Sequence, residues 1–220
     1  MDIKAINFDF YGTLVDYFSV WEEVSKIIIN GNNLKVSSAD FISEWKTTQR
    51  ILLEKKEFTD YKELVKLSLS ITCKKYGVKN QDYHKIIFEK WSDIKPFSEV
   101  PNTLKKLKSK YELAICSNSS RDLYEACAAK LPFKFQNILL SDETKVNKPH
   151  PKMYQIAIKT LGFNPENILH VASSLMDVKG AANANLIVCW INRRNEKILE
   201  VSAKPEFEIK KLDEIFNHLK

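Results

Sequence analysis

Glycine is scarce in this chain: it occupies five of 220 positions, whereas proteins contain about 7% glycine on average. None of the five begins a GxGxxG or GxxxxGK(S/T) loop, the motifs that hold phosphates in dinucleotide-binding proteins and P-loop NTPases. Both classes are therefore disfavoured. With 44% hydrophobic and 28% charged residues, the composition also excludes collagen-like and disordered chains. The length allows one large domain, or a core domain with a smaller second one.

Cysteine pairs and long apolar runs are also lacking. The four cysteines are Cys73, Cys116, Cys127 and Cys189, and no two form a CxxC pair or a spacing typical of a zinc site. Cys116 and Cys189 lie in apolar runs, which favours buried free thiols. No signal-peptide pattern is present and no apolar run approaches the ~20 residues of a membrane span. We therefore expect a cytoplasmic protein with no membrane partner.

Arginine is scarce as well, although the chain is basic. Its net charge is +6, and only four of its 34 basic residues are arginine. Nucleic acid, an anionic membrane or a small anionic substrate could each explain such a charge. Sequence-specific contacts to bases favour arginine, and the densest lysine run, at 105–110, is typical of a solvated helix face. We therefore expect no nucleic-acid partner, and a small anionic substrate stays open as an explanation of the charge.

The order of predicted elements indicates an α/β fold. Residues 3–10 form a nearly continuous apolar run, as in a strand buried on both faces of a parallel sheet. The segment from about residue 16 to residue 91 has helical periodicity only. Helices and strands then alternate, which predicts a Rossmann-like, doubly wound parallel sheet. We assign 1–14 and 93–220 to this core domain and 15–92 to an inserted, all-helical cap domain.

Polar residues follow four predicted strands at their carboxyl ends, the edge where open α/β sheets place their active sites. Taken singly, each residue has a structural explanation as a turn residue, a helix cap or a surface lysine. Their conjunction instead predicts one active site beneath the helical insertion. The set comprises Asp9, Tyr11, Thr13, Ser117, Asn118, Lys148, Ser173, Ser174 and Asp177.

These positions carry a family resemblance. The segment DFYGTL at 9–14, Ser117-Asn118, Lys148-Pro149 and the segment VASSLMD at 171–177 resemble, in order, the four motifs of the haloacid dehalogenase-like hydrolase superfamily. The resemblance extends from residue 3 to about residue 194 and includes a helical cap after the first motif. It implies that Asp9 is a nucleophile.

Two departures bear on the reaction that the resemblance implies. Most members of the superfamily are magnesium-dependent phosphatases with a second Asp where this chain has Tyr11, and with Gly-Asp where it has Ala172-Ser173. Mg²⁺ favours carboxylate ligands. The departures resemble the L-2-haloacid dehalogenase branch, as does the segment CWINR at 189–193. That branch needs no metal or other cofactor. A phosphatase with an atypical magnesium site and a catalytically silent binding module are the alternatives.

The resemblance implies a two-step covalent hydrolysis. Asp9 attacks C2 of a short 2-haloalkanoate to form an aspartyl ester, and Asp177 positions or activates the water that hydrolyses it. Lys148 pairs with Asp9 or Asp177. Thr13 supports the Asp9 loop, and Ser117 and Asn118 bind the substrate carboxylate. The remaining site residues are Tyr11, Ser173, Ser174 and Tyr154. Ser174 stands where the branch usually has Asn. Tyr154 either orients Lys148 or is a half-buried aromatic residue of a helix.

The cap residue that receives the halide is less well defined. The branch uses an arginine from its cap, and the only arginine in this cap is Arg50. An approximate alignment places Lys55 or Lys56 nearer to the expected position. A lysine provides a point charge but is not equivalent to arginine. The resemblance also makes a homodimer unsurprising, while the oligomeric state and the preferred chain length of the substrate stay open.

Overall fold

The computed structural model describes residues 1–54, 57–79, 82–197 and 204–219. Within these residues, six parallel strands form one sheet in the order β3-β2-β1-β4-β5-β6. The predicted α/β fold with a parallel sheet is confirmed. The strands are β1 (Ala5–Phe8), β2 (Glu112–Ser117), β3 (Asn137–Leu140), β4 (Ile168–Ala172), β5 (Ile187–Ile191) and β6 (Phe207–Ile209).

The strand order changes direction beside β1, the central strand. On one side of β1 the sheet continues with β2 and β3, and on the other side with β4, β5 and β6. The chain connections that follow β1 and β4 therefore run in opposite directions across the sheet. Such a switch point opens a crevice at the carboxyl ends of the strands. All four residues of β1 are buried, in agreement with its continuous apolar sequence.

Helices alone make up the described elements between β1 and β2. They are α1 (Tyr17–Gly31), α2 (Ser38–Leu53), α3 (Tyr61–Lys75), α4 (Tyr83–Glu89), a 3₁₀ helix (Lys90–Asp93) and α5 (Val100–Lys108). The chain leaves and re-enters the sheet side by side, because Asp16 N donates to Lys95 O at 2.8 Å and Phe97 N to Leu14 O at 3.1 Å. The limits of the cap domain stay a prediction.

The helices after β2 flank the sheet. They are α6 (Arg121–Ala128), α7 (Ser141–Thr144), α8 (Pro151–Leu161), a 3₁₀ helix (Pro165–Asn167), α9 (Leu175–Asn183) and a closing 3₁₀ helix (Leu212–Asn217). Helix α8 begins at a proline and is followed by Gly162 at φ +71°, the usual signals for the two ends of a helix. Within the described part of the chain, no helix combines the length and apolar composition that crossing a membrane requires.

A continuous apolar cluster links the sheet to the helices inserted after β1. In these helices, the indole rings of Trp21 and Trp45 stack at 3.8 Å between centroids, and both side chains are fully buried. The four cysteines are buried free thiols, as predicted for Cys116 and Cys189. This packing holds the inserted helices against the carboxyl edge of the sheet.

Candidate active site

A buried ammonium group lies between two carboxylates at the switch point. Lys148 Nζ is 2.8 Å from Asp9 Oδ1 and 2.5 Å from Asp177 Oδ2. The three side chains are at most 12% exposed. Asp9 follows β1, Asp177 lies in the first turn of α9, and Lys148 precedes α8. Three distant segments thus bring together the predicted nucleophile, lysine and base.

The charges in this triad stabilise one another. Burial alone would raise the pKa of Asp177, but the ammonium of Lys148 and the ring of His170 hold it well below its ordinary value. Burial alone would lower the pKa of Lys148, but Asp177 and Asp9 raise it above its ordinary value. At neutral pH the centre therefore holds an ammonium and an ionised Asp177.

The second oxygen of Asp9 is held by hydroxyl groups. Thr13 Oγ1 donates to Asp9 Oδ2 at 2.9 Å, and Ser173 Oγ lies 3.5 Å from the same oxygen. Gly12 makes this turn with φ +80°, and a Cβ atom there would lie 2.9 Å from Ser173 Oγ. Glycine is therefore required for both the backbone angle and the close approach. Thr13 stands where its predicted supporting role places it.

Asn118 makes contacts other than those predicted. Its Oδ1 accepts from the backbone N–H of Lys148 at 2.7 Å, and its Nδ2 donates to the carbonyl of Lys148 at 3.0 Å. The side-chain amide of Asn118 is therefore engaged with the backbone of Lys148, and the residue also lines the cavity, so its substrate-binding role stays a prediction. The Ser117 hydroxyl, by contrast, is buried and has no partner among the described residues, although it lines the cavity.

Tyr154 also differs from both sequence interpretations. It is fully buried rather than half-buried, and its hydroxyl donates to Asp177 Oδ1 at 2.7 Å. Among the described residues, the hydroxyl of Tyr154 thus bonds to Asp177 rather than directly to Lys148. The reason is geometric: helix α8 packs beside α9, and Gly180 leaves room there for the tyrosine hydroxyl.

A cavity of about 370 Å³ opens onto the triad. Tyr11 lines it with its ring, which stacks on Tyr61 at 5.9 Å between centroids, while its hydroxyl bonds to Ser119 Oγ at 2.9 Å. The exposed Ser174 is also part of the lining. The wall is mainly aromatic near Asp9 and carries polar groups from α2, and its lining includes Tyr17, Phe18, Lys46, Gln49, Arg50, Leu53 and Ser173.

A family model for haloacid dehalogenase-like hydrolases matches residues 3–185. The chain belongs to this family. It is 29% identical to an (S)-2-haloacid dehalogenase of Pseudomonas putida, over 99% of this chain and 97% of that one. Its fold is similar to that of an L-2-haloacid dehalogenase at 19% identity (TM-score 0.88, covering 100% and 99% of the two chains). It is also similar to the Xanthobacter autotrophicus L-2-haloacid dehalogenase with chloropropionic acid covalently bound, at 22% identity (TM-score 0.79, covering 97% and 96%).

The donor set does not fit the magnesium site of the phosphatase members of this haloacid dehalogenase-like family. In the described ranges, no three His, Cys, Asp or Glu side chains are grouped so that they could hold a metal ion. Ser173 supplies a hydroxyl at 3.5 Å from Asp9 Oδ2, at the position where those phosphatases carry a carboxylate. The two carboxylates present both pair with Lys148.

The cavity contains cap cations that the sequence alignment did not select. Lys55 and Lys56, the predicted candidates, lie outside the described residues. Lys46 and Arg50, both on α2, line the cavity. Burial lowers the pKa of Lys46 to about 8, with Arg194 acting in the same direction and Glu196 opposing it. The sequence does contain a signal for these residues. Gln49 and Arg50 lie three and four residues after Lys46, and this spacing places all three on one face of a helix.

Two further residues support the site and were missed. His170 Nε2 lies 2.9 Å from Asp177 Oδ1, and an Arg193 nitrogen donates to the carbonyl of Thr13 at 2.8 Å. Arg193 also pairs with Glu99 at 2.8 Å. In the sequence, His170 is a single polar residue within an apolar strand, which on its own indicates only a buried polar group.

Proposed function

We propose that this chain is an L-2-haloacid dehalogenase, which hydrolyses short 2-haloalkanoates through an ester on Asp9 without a metal ion. The observation that carries the proposal is the ammonium of Lys148 between Asp9 and Asp177, beneath a largely aromatic cavity. The names of the similar proteins support the same substrate class.

The first step is a displacement at carbon. A carboxylate oxygen of Asp9 attacks C2 of the substrate, a C–O bond forms, and the halide leaves with the electrons of the C–halogen bond. Lys148 and Thr13 hold the carboxylate from its two oxygens, which preorganises it for attack. A halide leaves without taking up a proton, so this reaction needs no general acid. A tyrosine, Tyr11, can therefore occupy the position at which a phosphatase needs an acid.

The cavity provides complementary surfaces for the substrate. The Ser117 hydroxyl, which is buried and has no described partner, can donate to the substrate carboxylate. The rings of Tyr11 and Tyr61 exclude water from the alkyl group. Lys46 and Arg50 face the same space and provide positive charge for the departing halide. Electrostatic interactions in such a water-poor site are stronger than in solvent.

The second step is hydrolysis at the carbonyl of Asp9. Water adds to this carbonyl carbon and passes a proton to Asp177. The intermediate collapses by breaking the bond between this carbon and the substrate oxygen, and the departing alkoxide takes the proton of the newly formed carboxylic acid. A 2-hydroxy acid and the Asp9 carboxylate are then released, and Asp177 loses its proton to solvent. Because its pKa is low, Asp177 orients the water first and accepts the proton only as the new bond forms. One oxygen of the regenerated Asp9 therefore comes from water.

A halide-release assay tests this function. The purified protein is incubated with L-2-chloropropionate or chloroacetate, with and without EDTA, and a panel of small phosphate esters is assayed with and without Mg²⁺. We expect halide release that is unchanged by EDTA. Phosphate release that requires Mg²⁺ would support the phosphatase alternative, and no turnover of either class would support the binding module.

Two further properties belong to the proposal. The four buried free thiols are in keeping with a reducing compartment such as the cytoplasm. Light scattering at several protein concentrations would show whether the chain forms a homodimer, the oligomeric state that the family resemblance makes unsurprising. The expected small-molecule partner is the carboxylate substrate.

A further inference from the structure

A buried polar chain approaches the site from inside the sheet. Asn7 and His170 are direct partners in the pairing of β1 with β4, and both are fully buried. Asn7 Nδ2 lies 3.0 Å from His170 Nδ1. Because an amide nitrogen can only donate, Nδ1 is the acceptor and Nε2 carries the ring proton. His170 therefore donates from Nε2 to Asp177 Oδ1.

The cost of burying this pair indicates a role. Moving an amide and an imidazole out of water costs free energy that hydrogen bonds only partly offset. Apolar residues would fill the middle of two adjacent strands without that cost. Asn7 also retains a buried oxygen with no partner among the described residues. The Asn7 side chain also bonds to the Cys116 thiol, and through His170 the hydrogen bonds of the pair lead to the carboxylate of Asp177.

The contacts separate the two half-reactions. Asp9 is held by Lys148, Thr13 and Ser173, and among the described residues the hydrogen bonds of His170 go to Asn7 and Asp177 instead. Asp177 Oδ1 receives both His170 and the Tyr154 hydroxyl, while Oδ2 receives Lys148. Once Asp9 is esterified it has lost its charge, and Lys148 is attracted to Asp177 alone. The donors on Oδ1 then oppose that attraction and keep the carboxylate in place.

We infer that His170 is a positioning residue for ester hydrolysis: it holds Asp177 in the orientation that directs water at the Asp9 ester. This inference rests on the proposed function. It assigns His170 to the second step only. Ester formation should therefore not depend on the imidazole, whereas ester breakdown should.

Two amide variants separate hydrogen bonding from packing. In His170→Gln, the amide nitrogen can stand where the ring Nε2 stands and still donate to Asp177. In His170→Asn, the shorter side chain reaches Asn7 but not Asp177. Both variants lack the ring and keep a polar group in the strand, so a purely structural role would affect them alike. His170→Phe adds an aromatic variant without a donor.

The readouts are the first-turnover release of chloride from L-2-chloropropionate and the mass of the Asp9 peptide after acid quenching. We expect all three variants to release the first chloride within about twofold of the wild-type rate. We expect His170→Asn and His170→Phe to hydrolyse the ester about 10-fold to 100-fold more slowly, by analogy with the loss of hydrogen-bond partners that orient metal ligands, so that the adduct accumulates. His170→Gln should hydrolyse it at close to the wild-type rate.

The outcomes distinguish the inference from the function on which it rests. Wild-type turnover with equal ester hydrolysis in His170→Asn and His170→Gln would overturn the positioning role alone. Equal loss of both steps in all variants would also overturn it, since this would show a structural effect. Absence of chloride release from the wild-type protein would overturn the proposed function, and the inference with it.

Discussion

The Tyr154 hydroxyl occupies the space in which a side chain at Gly180 would begin: a Cβ atom at position 180 would lie 2.4 Å from the hydroxyl oxygen. The same hydroxyl donates to Asp177 Oδ1 at 2.7 Å, and Gly180 lies three residues after Asp177 in α9. One of the five glycines of this chain therefore allows the contact that positions the base, at a cost of about 1 kcal/mol of helix propensity.

Gly180→Ala should displace the Tyr154 ring and weaken its bond to Asp177. We expect a loss of about 1–3 kcal/mol in the free energy of unfolding, because overpacking outweighs the gain in helix propensity. We also expect slower ester hydrolysis. Urea unfolding and the mass of the Asp9 peptide measure the two effects.

Gly31→Ala is the matched control, since among the described residues its Cβ would meet only the Tyr83 hydroxyl, at 3.5 Å. This variant should be as stable as the wild-type protein or slightly more so. A Gly180→Ala variant with wild-type stability and turnover would show that the Tyr154 ring moves without consequence.

Lys148→Met should leave two carboxylates buried without their cation. Breaking a buried pair in this way costs about 3–5 kcal/mol. The pKa of Asp177 is lowered in the folded protein, so its stabilising effect is present above the unfolded pKa and is lost as pH falls through the folded pKa. Without Lys148, the burial that raises the pKa of Asp177 is no longer offset by the ammonium, so the carboxyl of the folded variant takes up a proton as pH falls towards 4 and is no longer a buried, unpaired charge. The difference in unfolding free energy between the variant and the wild-type protein should therefore be largest at neutral pH and smaller near pH 4.

Lys145→Met is the control for Lys148→Met. Lys145 pairs with Asp60 at 3.2 Å, but both side chains are more than half exposed. Such surface pairs contribute less than about 1 kcal/mol, so this variant should unfold close to the wild-type midpoint. Equal destabilisation by the two substitutions would contradict the assignment of Lys148 to a buried charge centre.

Asp9→Asn and Asp177→Asn should separate the two chemical steps. Asp9→Asn removes the nucleophile, and we expect neither halide release nor a mass change on the peptide that contains residue 9. Asp177→Asn keeps the nucleophile, and we expect one release of halide followed by accumulation of the ester. Quenched-flow mass spectrometry measures both. Full activity of Asp9→Asn would contradict the covalent mechanism.

The sequence predicts the parts of this site that depend on strand ends. Asp9, Lys148 and Asp177 could be grouped because parallel strands bring their carboxyl ends to one edge. Asn118 and Tyr154 could be placed near the site, but their partners depend on loop and helix packing that no short-range pattern encodes. Asn7 and His170 are adjacent because β1 pairs with β4 in the register that places them opposite each other. This register depends on long-range pairing, which neither strand's sequence reveals alone.

The cap cation gives the last prediction. Lys46 lines the cavity, and burial lowers its pKa to about 8. It is therefore charged below pH 8 and loses its charge as pH rises through 8, so the KM for L-2-chloropropionate should increase between pH 7 and pH 9. Lys46→Arg should keep KM nearly constant over this range, because arginine stays protonated. Lys46→Met should raise KM at pH 7 and differ little from the wild-type protein at pH 9, where Lys46 is mostly neutral. Lys75→Met, which removes an exposed lysine paired with the half-buried Glu44, should behave as the wild-type protein. If the wild-type KM for L-2-chloropropionate does not change between pH 7 and pH 9, Lys46 does not contribute to binding of this substrate.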